Sequence, residues 1–432
     1  MTDFTSTTVP DGTEMQRRLD LVKYFESYIT QPVGIEWDSS STSPTLKRID
    51  ANGNQINPST SFFDNHVLWG GIRRCTRNRT TGSITYGSDN KGTGLTLDGT
   101  NGDVLVEYPT DRVKFWTNGT LFRWWVVPYN TPGISYAIAP FAVQRGGTER
   151  SKIYLGAYES SGRYESSTFY LASVSGAQPV TGAVSYTNLP DGSLTLAQAE
   201  TYANHIGSGF GVCNAWTYAD IKLRMAIEYG TWNIPSVLGL GVTSRLSASG
   251  YNGVLTGADS IDSRLGTNGT GTGSGVNGET PICWRGLENI YGNVFEYVMG
   301  LNMFNGTGSD SEGSYTPGAY RVIKASGTGT MAAILTSGNF LLGSAAVPLS
   351  DNYISSLQTN ETGAKLFMPA AVSGINSTYL CDTFYYPRNN PSLVVHGGSW
   401  SNTTNAGPFC MFVNCPTTYN NRTAGCRLEY YP

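Results

Sequence analysis

The residues able to do chemistry in this chain are few and scattered. Its three histidines, His66, His205 and His396, lie far apart and form no HExxH or similar ligand spacing. Seven cysteines (Cys75, Cys213, Cys283, Cys381, Cys410, Cys415 and Cys426) include no CxxC pair, so no zinc site is expected. Aspartates and glutamates are too dispersed to nominate a pair of glycosidase carboxylates, and no GxSxG nucleophile elbow occurs. Gly273-x-Gly275-x-x-Gly278 matches a dinucleotide pattern in letters only. It sits in low-complexity sequence, with no strand pattern before it and no helix pattern after it. The one interval worth weighing is Cys410-x4-Cys415. No catalytic residue, metal or cofactor is assigned, and the chain is not expected to be an enzyme.

The informative stretch is Leu393–Pro432. A frame of glycine and apolar residues runs through Val394-Val395-His396-Gly397-Gly398, Trp400, Asn405-Ala406-Gly407-Pro408-Phe409, Val413, Ala424-Gly425 and Arg427-Leu428. Between these anchors lie Ser399, Ser401, Asn402, Thr404, Cys410, Phe412, Asn414, Cys415, Tyr419, Asn420, Arg422 and Thr423. Catalysis needs a few residue types at set spacings. Here a regular scaffold carries side chains with no structural logic of their own, which is the pattern of a display surface. Trp400 and Phe409 are expected to pack beneath that surface, and Arg427 to tie strands together.

The elements that must position this surface are mostly strands. The 52 glycines and 26 tyrosines, with many Ser, Thr and Asn, indicate short strands and tight turns. The same mix suits binding surfaces, because tyrosine gives contact area at low entropic cost. A length of 432 residues allows a large core and two or three domains. With 28 Lys+Arg against 32 Asp+Glu and no basic run, no nucleic-acid footprint is expected. Residues 1–20 lack an apolar segment behind basic residues, so no signal peptide is expected. No run of about 18 apolar residues occurs, so no membrane span is expected. The odd, dispersed cysteines predict free thiols from a reducing cytosol.

Met15, Leu19, Val22, Phe25 and Ile29 predict an amphipathic helix over 15–29. From about 34 to 145, Val67–Trp69, Val104–Tyr108, Val113–Trp116 and Phe122–Val127 read as strands, punctuated by Asp98-Gly99, Asn101-Gly102 and Asn118-Gly119 turns. Thr195 with Gln198 predicts a capping box and a helix ending near Gly207. Thr217 with Asp220 predicts a second helix, stopped by Gly230. Residues 243–280 read as a long surface loop and about 300–390 as a second loop-rich insertion. Final strands are expected near 393–400 and 425–431.

Leu287-Glu-Asn-Ile-Tyr-Gly-Asn-Val-Phe-Glu-Tyr-Val298 resembles the GLxDMxGNVWEWV signature of the formylglycine-generating-enzyme branch of the C-type lectin fold. Gly397-Gly398-Ser399-Trp400 and Gly425-Cys426-Arg427-Leu428 resemble the strands that follow it there. Within the signature, Gly292-Asn293 suits a tight turn with positive φ. The alternation after it places Val294, Glu296 and Val298 on one sheet face, and Phe295 and Tyr297 on the other. The enzymes of that branch use a cysteine pair with four residues between, close after the Gly-Gly-Ser strand. Cys410 instead lies eleven residues past Ser399, and the Arg- and Tyr-rich segment of the enzymes is missing.

Gly397–Phe409 further resembles the variable region of retroelement-diversified proteins, in which asparagine AAC codons become Ser, Thr, Tyr, Cys, Phe, Asp or Arg. Met411 is not reachable from AAC. Ile35–Asp38, Trp69–Cys75, Gly102–Glu107 and Tyr154–Glu159 resemble bacteriophage tail-fibre proteins that carry this lectin domain. The resemblance implies an attachment segment at 1–33, a smaller β-rich domain at 34–148, and a lectin-like domain at 149–432 with its variable region at 393–428. The implied class is α+β, β-rich. The implied function is a receptor-binding adhesin at a tail-fibre tip, located in the virion tail. Its expected partners are a host cell-surface receptor, protein or glycan, other tail proteins and its own copies in a homotrimer, without membrane insertion. The alternatives are a cell-encoded diversified surface protein and, last, the enzyme.

Overall fold

A computed structural model of the chain describes residues 15–17, 30–182, 189, 193–245, 253–257, 278–310, 313–336 and 338–432. Strands dominate, with short helices between them, so the β-rich class expected from composition holds. The aromatic run at 122–127 lies in the strand Leu121–Pro128, paired along its length with Asp111–Asn118. The connecting loop is Gly119-Thr120, one residue later than an Asn-Gly loop, because Asn118 pairs with Leu121; Gly119 takes φ 61° there. With Val33–Asp38, Lys47–Ile49 and Ala137–Ile138 these strands make a five-stranded antiparallel sheet. A six-stranded sheet follows the order Phe210–Val212, Leu428–Tyr430, Lys152–Gly156, Asp103–Pro109, Arg73–Arg77, Ile84–Tyr86. Residues on both sides of position 148 share this sheet, because Asp103–Pro109 pairs with Lys152–Gly156.

The third sheet carries the C-terminal segment. Its order is Phe340–Leu342, Tyr320–Ile323, Phe295–Met303, Ser392–Gly397, Gly407–Cys415, Thr383–Tyr385, Asn352–Leu357, Pro369–Gly374, with Ala424–Gly425 parallel to the start of Phe295–Met303. The loop-rich reading of 300–390 is therefore corrected, since that stretch supplies five strands to the sheet. These strands are three to six residues long and bounded by turn residues. Pairing in the tertiary structure, rather than local pattern, makes them strands. Most of 243–280 and most of the expected helix over 15–29 lie outside the described residues; Met15–Arg17 are helical.

Two local corrections have clear causes. Val67–Gly70 is a short helix, not a strand; His66 caps it by accepting from Leu68 N–H, and Leu68 and Trp69 point inward. The long helix starts at Ala215, because Asn214, not Thr217, is its cap and accepts from the amides of Trp216 and Thr217. Gly230 ends it at φ 66° as expected, and the Thr195–Gln198 capping box forms at the start of Leu196–Asn204. Asn214 also donates to the buried Glu429 carboxylate at 3.0 Å. Asn214→Ala is expected to cost at least about 1–2 kcal/mol from the cap alone. A guanidinium chloride melt would show it as a lower midpoint at constant slope, and an unshifted midpoint would refute the assignment.

An aromatic cluster joins the N-terminal sheet to the C-terminal one. Trp37 and Trp124 each meet Trp232 at 5.8 Å, and Trp232 meets Phe409 edge-on at 5.2 Å. Phe367 bridges Trp124 and Phe409. Such contacts add about 0.5–1.5 kcal/mol each beyond the area they bury. The strand carrying Phe409 is thus fixed from beneath.

Candidate functional site

The platform under the expected display surface is held by buried polar groups. Gly292 and Asn293 take φ 80° and 58°, the tight turn that the sequence predicts. Asn293 then donates to Glu159 at 2.5 Å and accepts from Val254 N–H at 2.8 Å. Beyond the turn the expected alternation is present. Glu296 meets Tyr218 and Arg427, while Phe295 and Tyr297 face the opposite side, toward Phe412 and Tyr419. Arg427 ties the strands as expected, donating to the carbonyls of Gly156 and Glu288 at 2.9 and 2.6 Å. Burial alone would raise Glu296, but Arg427 and His396 hold it below the usual carboxylate range. Burial, then the neighbouring Glu296, pushes Glu159 well above it.

Gly397 and Gly398 turn the chain out of its strand at φ 88° and 84°. A side chain at Gly398 would strike Ala406, its Cβ coming within 2.4 Å of the Ala406 Cβ, so the two ends of the first display segment touch. That segment carries Ser401 and Thr404 exposed and Asn402 half-buried. The second, after the strand Gly407–Cys415, carries Asn420 exposed and Tyr419, Arg422 and Thr423 half-buried. Phe412 and Asn414 are half-buried on the strand between them. Trp400 and Phe409 are buried beneath, as expected.

Hydrogen bonds and ring contacts join the two segments. Tyr353 donates to Asn405 Oδ1 at 2.6 Å and lies 3.4 Å from the Thr404 hydroxyl. Asn405 in turn donates to the Tyr385 hydroxyl at 3.1 Å. The Tyr385 ring meets Phe412 at 4.9 Å, and Phe412 meets Phe295 at 5.1 Å. Phe295 N–H closes the path on the Thr423 carbonyl at 2.7 Å. Thr404, Phe412 and Thr423 are thus linked by one chain of contacts that passes through the buried Phe295.

Four expected display residues are not displayed. Ser399 is buried, and its hydroxyl donates to Asn402 Oδ1 at 2.7 Å. Cys410 and Cys415 are fully buried on a strand that lies inside the sheet, between Ser392–Gly397 and Thr383–Tyr385. Tyr419 turns inward: its ring packs edge-on against Tyr297, its carbonyl accepts from the Tyr297 hydroxyl, and its phenol bonds toward Cys415 and Thr423. Burial also pushes the Cys410 and Cys415 thiols up, away from the thiolate that cysteine chemistry requires. All seven cysteines are free.

Tyr353, Tyr385 and Asn405 were missed as surface residues. The first two fall in the stretch read as an insertion, and Asn405 was assigned to the frame. The abundance of tyrosine pointed to a binding surface without saying which tyrosines form it.

Two of the histidines are hydrogen-bonded to backbone: His66 Nε2 lies 3.0 Å from Gln31 O, and His205 Nδ1 lies 2.8 Å from Phe169 O. Among the described residues, no group of three or more His, Cys, Asp or Glu could hold a metal ion. No described helix is long and apolar enough to cross a membrane.

No known family profile matches the chain, and no curated protein does. Among solved structures, the Major Tropism Determinant U1 variant is similar at a TM-score of 0.30 and 13% identity, covering 91% of this chain and 84% of its own. The I1 variant is similar at 0.28 and 11%, covering 94% and 87%.

Proposed function

We propose that this chain is a receptor-binding adhesin of phage tail-fibre type. In this reading residues 393–428 form a retroelement-diversified surface on a C-type-lectin-like platform of the formylglycine-generating-enzyme branch. One observation carries the proposal: the frame anchors are buried while several of the interrupted positions between them face solvent. Trp400, Phe409 and Arg427 are at most 1% exposed, whereas Ser401, Thr404 and Asn420 face solvent. Side chains there can change while the fold underneath keeps its contacts. The inward Cys410 and Cys415 with raised thiols support binding over cysteine catalysis.

Affinity in this reading comes from a few central anchors, for which aromatics and arginine are the favoured types. Arg422 is half-buried in the second segment and is of a favoured type. Tyr353 and Phe412 lie along the contacts that join the two segments. The fibre tip sits in the virion tail as a homotrimer, alongside other tail proteins, and its partner is a receptor on the host cell. Several weak sites on one particle then gain avidity through effective concentration.

Arg422→Ala combined with Tyr353→Ala is expected to lower host adsorption of particles carrying this protein by about 30-fold or more, at about 1–2 kcal/mol per anchor. The melting temperature should be nearly unchanged. Adsorption equal to the parent would refute the assigned surface.

A further inference from the structure

Beside the displayed segments, a cavity of about 180 Å³ opens next to the short helix Pro235–Leu238. Asn233, Ser236, Asn376, Asp382 and Thr404 give it polar walls. Ser236, Asn376 and Thr404 are exposed at its mouth, while Asp382 is only 1% exposed. Pro235, Leu240 and Ala406 add apolar surface. Asp382 is held firmly: Phe409 N–H donates to Oδ2 at 2.6 Å. At Gly407 an added Cβ would come within 2.0 Å of Oδ1, so only glycine fits beside the carboxyl. Lys222, buried on the helix Ala215–Tyr229, attracts the same carboxyl.

These walls select a class of ligand. Short amide, hydroxyl and carboxyl side chains can each accept a hydrogen bond, and most can donate one as well. Proline, leucine and alanine offer contact to C–H groups. The one acidic group is almost wholly buried and already accepts from Phe409 N–H, so the cavity presents no exposed charge to a cationic or anionic ligand. Its volume is below the roughly 300–1,000 Å³ of pockets that take drug-sized ligands, which limits it to a single ring.

We propose that this cavity binds one neutral sugar residue of a cell-surface glycan, with the side chain at position 404 tuning which sugar fits. The inference rests on the receptor-binding reading, because Thr404 lines the cavity and also belongs to the proposed variable set. Burial pushes Asp382 up to about 7, so near neutral pH its carboxyl can donate to a sugar hydroxyl as well as accept from one.

The test uses the full chain and the methyl glycosides of glucose, galactose, mannose and N-acetylglucosamine, with N-acetylneuraminic acid and glucosamine as charged controls. Saturation-transfer NMR is expected to detect at least one neutral glycoside, with a dissociation constant on the order of 1 mM for a ligand this small. Ser236→Trp places a bulky ring at the exposed mouth and should weaken that binding at least 10-fold with an unchanged melting temperature. Thr404→Tyr should change the order of preference among the neutral sugars. Binding of the charged sugars alone, no binding of any neutral glycoside, or undiminished binding to Ser236→Trp would each overturn the proposal. Loss of adsorption in the Arg422/Tyr353 variant without sugar binding would remove this inference and leave the adhesin reading standing. Sugar binding that Ser236→Trp abolishes, with adsorption indifferent to Arg422 and Tyr353, would support the cavity and remove the assigned anchors.

Discussion

Arg427→Met is expected to destabilise the chain by about 3–5 kcal/mol, the cost of leaving one member of a buried ion pair alone. Arg427 and Glu296 are 0% and 2% exposed and 2.6 Å apart. The guanidinium also serves the Gly156 and Glu288 carbonyls, so its removal leaves several buried acceptors short of a donor. Replacing the whole pair is a different matter. A buried pair exchanged for apolar residues is often neutral or stabilising, so Arg427→Met with Glu296→Leu should recover most of the loss. The Tyr218 hydroxyl, which donates to Glu296, limits that recovery. Chemical denaturation of both variants reads the difference directly. If the double variant were no more stable than the single, the carbonyl contacts rather than the charge would hold the strands. Ala424–Gly425, just before Arg427, pairs with Phe295–Glu296, so under the proposed adhesin function the single variant should also make adsorption heat-sensitive.

His66→Gln should remove an acid-labile point worth about 3 kcal/mol. Burial, with Arg224 and Arg285 nearby, lowers His66 from 6.5 to about 4. The hydrogen bonds show why the neutral ring is needed. Nε2 lies against the Gln31 carbonyl, which can only accept, so Nε2 carries the proton and Nδ1 accepts from Leu68 N–H at 3.2 Å. A second proton on Nδ1 would face that amide and break the cap of the Val67–Gly70 helix. Because the folded value is depressed, the unfolded chain binds a proton between pH 4 and 6.5 that the folded chain refuses. His66 therefore contributes full stability above about 6.5 and loses it as pH falls toward 4, at about 1.4 kcal/mol per pH unit. His396, also lowered to about 4, and Asp382, shifted the opposite way, are present in both proteins and cancel in the comparison. Between pH 7 and pH 4 the stability difference should move by about 3 kcal/mol in favour of the glutamine variant. A difference independent of pH would refute the role given to His66.

Much of the frame was legible because it rests on local rules. The Gly292-Asn293 turn, the Thr195–Gln198 box, the stop at Gly230 and the hairpin at Gly119 each depend on backbone geometry that few residue types accept. The split of Phe295 and Tyr297 from Glu296 follows from the two-residue period of a strand. The segment 300–390 was opaque for the opposite reason. Its strands are short and turn-rich, and they exist because long neighbours such as Phe295–Met303 and Gly407–Cys415 give them partners.

At the site itself, the contrast between a regular frame and interrupted positions is readable from residue types and spacing alone. Which interrupted positions face outward depends on how the whole chain packs. Cys410, Cys415 and Ser399 are spaced like their exposed neighbours, yet they lie inside, because burial depends on what covers a strand from elsewhere in the chain. Tyr353 and Tyr385 join these positions from twenty or more residues away in sequence, through contacts to Asn405 and Phe412. Periodicity along one segment carries no record of which distant segment will pack against it, and that contact is what exposes or buries each side chain.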